Sequence, residues 1–155
     1  MKKIVTEIAI TTDVHGLVEL EELCFETDRL DARHFRYFIK KPTALVITAK
    51  HKKVIISGAV VLFRKNSKIA RLYSLAVHPE YRKRGVAQTV NDFIESSIRK
   101  FHCNEIRLEV NMNNHRAIEF YRKNGYASFG EYKKFYEDGT DALRMHKVFS
   151  DKRRK

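Results

Sequence analysis

A chain of 155 residues with 43% hydrophobic residues suits one compact domain with a packed core and leaves little room for a second. Its 31 Lys+Arg against 19 Asp+Glu give a formal net charge of +12, which favours anionic partners: a phosphorylated cofactor, an acidic peptide or nucleic acid. Two cysteines are too few for a disulfide framework, neither they nor the scattered histidines have metal-ligand spacing, and no apolar run is long enough to span a membrane.

Glu7 and Asp13 interrupt any secretory apolar stretch, so the N-terminus reads as a first strand, Ile4 to Ile10, in a cytoplasmic protein. Asp13 can cap a helix over Val14 to Cys24, whose apolar positions are Val14, Leu17, Val18, Leu20 and Leu23. A short helix from Asp31 to Lys40 stops before Pro42. Ala44 to Ala49 and Val54 to Phe63 are strands joined by the polar turn Lys50 to Lys53, and Ile69 to Val77 is the next strand. From Val86 to Phe101 the apolar spacing becomes helical, at Val86, Val90, Phe93, Ile94, Ile98 and Phe101. Glu105 to Asn111 alternates strictly, with Ile106, Leu108 and Val110 on one face. Asn114 to Asn124 is a short helix with an Asn cap and Gly125 at C′. Strands over Tyr126 to Phe135 and Asp141 to Phe149 meet at the turn Glu137-Asp138-Gly139. Strand, helix and strand from Ile69 to Asn111 make a βαβ unit, hence one parallel pair. The expected fold is α/β: a mixed, mostly antiparallel sheet with helices on both faces, over residues 1–149, followed by a basic tail, 150–155.

Most basic clusters, such as Lys50 to Lys53, Lys133-Lys134 and Lys152 to Lys155, read as solvated faces. The turn Arg82-Lys83-Arg84-Gly85-Val86-Ala87-Gln88 differs, because it joins a strand to a helix. Free N–H groups and the positive dipole end lie at a helix start. Gly85 and Ala87 allow a pyrophosphate to approach the main chain, and Arg82 and Arg84 add charge-assisted donors. The turn is not a Walker loop, and it lacks the three glycines of a dinucleotide fingerprint.

Leu75-Ala76-Val77-His78-Pro79-Glu80-Tyr81 followed by Arg82 to Ala87 resembles the acetyl-CoA-binding motif of the GNAT superfamily, the Gcn5-related N-acetyltransferases. Leu108-Glu109-Val110, Asn114 to Ala117 and Tyr121 to Tyr126 resemble its next motif, in the same order. The closest likeness is to bacterial ribosomal-protein-alanine and other protein N-terminal acetyltransferases. It is carried by the spacing of Glu109, Asn114 and Tyr121 and by the segment Phe135 to Met145. Phe135, Thr140 and Ala87 depart from that pattern, standing where a tyrosine, a glutamate and a glycine are usual.

The resemblance implies acetyl-CoA as co-substrate and no metal. Leu75, Ala76 and Val77 would offer backbone groups to the pantetheine arm, with the Val77 N–H as oxyanion donor. Arg82, Lys83, Arg84, Gly85, Val86, Ala87 and Gln88 would hold the pyrophosphate, and Asn114, Ala117 and Tyr121 would line the cofactor channel. Glu109 would be the general base and Tyr121 the general acid, with Phe25 and Tyr136 facing the acceptor. From residues alone, the alternatives are that Glu109 is ion-paired to Arg107 or a neighbouring strand and that Tyr121 is a core residue, since i, i+3, i+7 is also a packing stripe.

The expected acceptor is a protein N-terminal α-amine, with ribosomal proteins among the candidates, and the enzyme is expected to be a monomer or homodimer. A small-molecule amine is the alternative acceptor. A non-catalytic nucleic-acid-binding module is the remaining class, disfavoured because the basic residues lack interleaved surface aromatics.

Overall fold

The computed structural model describes residues 3–149, and the basic tail 150–155 lies outside them. The elements, in chain order, are β1 (Val5–Ile8), α1 (Val14–Cys24), α2 (Ala32–Lys40), β2 (Ala44–His51), β3 (Val54–Leu62), β4 (Ile69–Val77), α3 (Val86–Lys100), β5 (Glu105–Asn111), α4 (His115–Lys123), β6 (Ala127–Tyr132) and β7 (Ala142–Val148). The strands form one sheet in the order β1-β2-β3-β4-β5-β7-β6. Strands β4 and β5 run parallel because α3 crosses between them. The other pairings are antiparallel.

Helices cover both faces, as the binary pattern requires. On one face Leu17, Leu30 and Phe35 pack on Val46 and Val60. On the other, α3 and α4 enclose Ile94, Ile98, Ile106, Leu108 and Met145. Ile94, Ile98 and Ile106 are 0% exposed, so each contributes about 1.5–3 kcal/mol of transfer free energy.

Several sequence expectations shift. Only Val5–Ile8 forms the strand, at the sheet edge, and Ile8 and Ile10 remain 47% and 61% exposed. Asp13 does not cap α1. Its carboxylate turns back to accept the Ile10 N–H at 2.9 Å and to pair with Lys50 at 2.8 Å. Leu23 is 56% exposed, for at about 100° per residue it lies opposite Val14. The inward position is filled instead by Glu21, 4% exposed. Phe101 leaves the core face at the end of α3 and stacks on Phe63, centroids 4.2 Å apart. Strand β6 stops at Tyr132; Tyr126 drops into the core, and residues 133–141 form a loop closed by the Lys134 N–H on Asp141.

Candidate active site

The site begins as a fault in the sheet. Strands β4 and β5 pair from Ile69↔Glu105 to Leu72↔Leu108 and no further. On the other side of β4 the register with β3 goes from Val61↔Leu72 to Val60↔Ser74, leaving Tyr73 as an extra residue. Such a bulge bends a strand and raises its twist. Ser74 to Val77 therefore stay on β3 while they leave β5. Ala76 O accepts from the Ser57 hydroxyl and His78 N donates to Ile56 O, so both face β3. Alternation then turns the main-chain groups of Leu75 and Val77 towards the split. The Val77 carbonyl there accepts from Arg82 Nε at 3.0 Å and from the Cys24 thiol at 3.3 Å.

A cavity of about 750 Å³ fills the split. Its walls are the facing ends of β4 and β5, the start of α4, the α1–α2 segment and the 133–141 loop. Outside the cavity, Lys83 and Gly85 both adopt positive φ, +64° and +83°, and bring the chain into the first turn of α3. A Cβ built on Gly85 meets nothing within 4 Å, so open space stands over this main chain. The first hydrogen bond of α3 runs from Thr89 N to Gly85 O, which leaves the N–H groups of Val86, Ala87 and Gln88 directed outwards. Arg82, Lys83 and Arg84 are exposed around them, with Arg84 over the Tyr81 ring. This arrangement fits a pyrophosphate. The Gln88 side chain is otherwise engaged, donating to Asp92 and Asn124.

Glu109 points away from the core, as the alternation of β5 dictates. Its side chain is 11% exposed, and Oε1 accepts from Arg71 Nε at 3.0 Å and NH2 at 2.7 Å. Asn114 Oδ1 caps α4 by accepting the Ala117 N–H at 3.1 Å. At the other end Gly125, φ +93°, closes the helix. There Gly125 N donates to Arg122 O and Tyr126 N to Tyr121 O, a Schellman motif. That closure packs the Tyr126 ring against Tyr121, centroids 5.3 Å apart, and fixes Tyr121 at the cavity wall. Burial, with Tyr136 nearby, pushes the Tyr121 phenol well above its usual value, so it stays protonated. Burial also pushes Tyr136 up to about 12, helped by Glu109 and Asp28 and opposed by Arg71.

The cavity thus brings together Glu109, Asn114, Ala117, Tyr121, Leu75, Phe25 and Tyr136. Ala76, Val77 and Arg82 to Gln88 do not line it; Ala76 is 4% exposed and faces the core.

Sequence reasoning did not single out the wall residues Arg71, Glu21 and Cys24. Arg71 lies on the same face as Glu109, a parity legible in β4 had the parallel register been known. Glu21 accepts the Leu30 N–H at 2.9 Å and the Ser74 hydroxyl at 3.5 Å, and burial raises its carboxyl pKa against these bonds. Asp28, at φ +57°, accepts the Glu137 N–H at 3.2 Å and so ties the α1–α2 segment to the 133–141 loop. Cys24, half-buried, borders the cavity, and Cys103 is in the core.

Residues 14–126 match the family model described as Acetyltransferase (GNAT) family. An N-alpha-acetyltransferase of Saccharolobus solfataricus is 37% identical over 73 residues, 46% of this chain and 44% of that protein. The ribosomal-protein-S18-alanine N-acetyltransferase of Escherichia coli shares the fold with a TM-score of 0.86 at 20% identity, over 96% of each chain. A PaiA N-acetyltransferase from Thermoplasma acidophilum, in complex with coenzyme A, has a TM-score of 0.82 at 20% identity, over 96% of this chain and 100% of that one.

Proposed function

The chain belongs to the GNAT family of acetyltransferases, and from that premise we propose that it moves an acetyl group from acetyl-CoA to the α-amine at a protein N-terminus. The observation that carries this reading is the juxtaposition, in one cavity at the β4–β5 split, of an outward carboxylate, Glu109, and a buried phenol, Tyr121. The names of the relatives, an N-alpha-acetyltransferase and a ribosomal-protein alanine N-acetyltransferase, support a protein acceptor.

Acetyl-CoA supplies the activated thioester. The turn at Arg82 to Gln88 binds its pyrophosphate, and the outward main-chain groups of Leu75 and Val77 orient the arm along β4. An α-amine has a pKa of about 8 and is mostly protonated at neutral pH. Glu109 takes a proton from that ammonium and frees the nitrogen lone pair. The C–N bond then forms as the C–S bond breaks. The Val77 N–H donates to the acyl oxygen, and Tyr121 gives its phenolic proton to the departing sulfur. The acylated nitrogen then releases its surplus proton to restore the Tyr121 phenol, and Glu109 returns its proton to solvent. The carboxylates of Glu26, Asp28 and Asp138 along the wall favour a cationic amine over an anionic one.

A small-molecule amine is the second reading. The contact between Asp28 and Glu137, which joins two walls of the cavity, favours it. The deciding experiment follows CoA-thiol release with peptides of varied N-termini, the same peptides blocked at the N-terminus, and amino sugars, amino acids and polyamines. Turnover of free but not blocked peptides is expected. Turnover confined to small amines would overturn the protein acceptor.

A further inference from the structure

The sheet face that carries Glu109 offers it three arginines, and two are committed elsewhere. Arg107, two residues earlier on β5, turns back to Glu105 at 2.8 Å. Arg144, directly across on β7, lies over the rings of Phe129 and Tyr132, 4.5 and 4.4 Å from their centroids. Arg71 pairs in register with Arg107, so its side chain must reach forward along β5 to meet Glu109. There Nε and NH2 converge on the same oxygen, Oε1, at 3.0 and 2.7 Å. The other oxygen, Oε2, accepts no hydrogen bond among the described residues. Both residues line the cavity.

We propose that Arg71 is the positioning residue of the acid–base machinery, clamping Glu109 by one oxygen so that the other is presented to the acceptor amine. This inference rests on the reading of Glu109 as general base. A glutamate carboxylate, at the end of a side chain with three rotatable bonds, would otherwise sample several directions. A planar guanidinium that donates twice to Oε1 holds that oxygen in one place and leaves Oε2 as the end of the carboxylate that faces the cavity. Arg71 is the last residue but one of the paired β4–β5 segment, two residues before the bulge at Tyr73, so the clamp is anchored on the sheet at the edge of the split. Lysine, with one ammonium centre, would keep the charge but not the fork.

The test is a double-mutant cycle on the full chain with a turned-over peptide. Arg71→Met should lower kcat about 10- to 100-fold, the scale of a misplaced catalytic group. Acetyl-CoA affinity by calorimetry should be unchanged. In the Glu109→Gln background the same substitution should have almost no further effect, because the group it positions is already gone. Arg71→Lys should fall between wild type and Arg71→Met. Wild-type kcat in Arg71→Met would overturn the proposal, as would losses that multiply in the double variant or a full rate in Arg71→Lys. These outcomes are distinct from failure of the base assignment itself, which would appear as normal kcat in Glu109→Gln alone.

Discussion

Substitution of Gly85 separates strain in the fold from loss of the cofactor. Gly85 sits at φ +83°, where an L side chain is strained, yet a Cβ there meets no heavy atom within 4 Å. Gly85→Ala should therefore cost about 1–2 kcal/mol of stability and no more. A chain of this size should lose about 2–4 °C of Tm for each kcal/mol. Binding should suffer further, because the open space over the first turn of α3 is where a pyrophosphate would meet the free N–H groups. Losing one charge-assisted hydrogen bond, about 1.5–3 kcal/mol, weakens binding by about 10- to 150-fold. Gly85→Glu adds a like charge beside the phosphates and should do at least as much. Calorimetric titration with acetyl-CoA, paired with a melt of each variant, reads both quantities. Unchanged acetyl-CoA affinity in a folded Gly85→Glu protein would refute the cofactor assignment of this turn.

Tyr121→Phe keeps the packing on Tyr126 but removes the proton donor, so kcat measured from pH 6 to 9 should fall, with a loss that grows as the pH rises and other donors become scarce. Asp28→Ala should raise the acceptor KM by about 5-fold, the worth of one ordinary hydrogen bond holding the two loops together, while calorimetry shows unaltered acetyl-CoA affinity. Asp13→Asn should lower stability by about 1–2 kcal/mol at neutral pH, seen as a drop in Tm. Asp13, and after it Glu7, raise the Lys50 pKa in the folded chain. That stabilisation is complete below the unfolded lysine value of about 10.4 and is lost as the pH rises through the higher folded value. Melts at increasing alkaline pH should therefore show the wild type and Asp13→Asn converging.

The elements that repeat a clear period were legible in the sequence. Ile106, Leu108 and Val110 gave β5 its buried face, and with it the outward direction of Glu109. Asn114 and Gly125 gave both ends of α4 because each supplies a local backbone requirement, a side-chain acceptor and a positive φ. The features that escaped depend on contacts distant in sequence. Leu23 looked apolar enough for the core, but the helix presents Glu21 inward, where Leu30 and Ser74 satisfy its carboxylate. Arg71 lies 38 residues from Glu109, and only the parallel register makes them neighbours. The bulge at Tyr73, which opens the split, leaves no glycine or proline in the sequence to announce it.

The central claim is that Glu109 deprotonates the acceptor amine at the split. It is tested most directly by kcat of Glu109→Gln with a free-N-terminal peptide and saturating acetyl-CoA from pH 6 to 9, a range either side of the α-amine pKa of about 8. The account predicts a loss of about 10²–10⁴-fold near neutrality, shrinking towards pH 9 as the amine becomes neutral unaided, with acetyl-CoA affinity intact. A variant that keeps near-normal kcat across the range would contradict it.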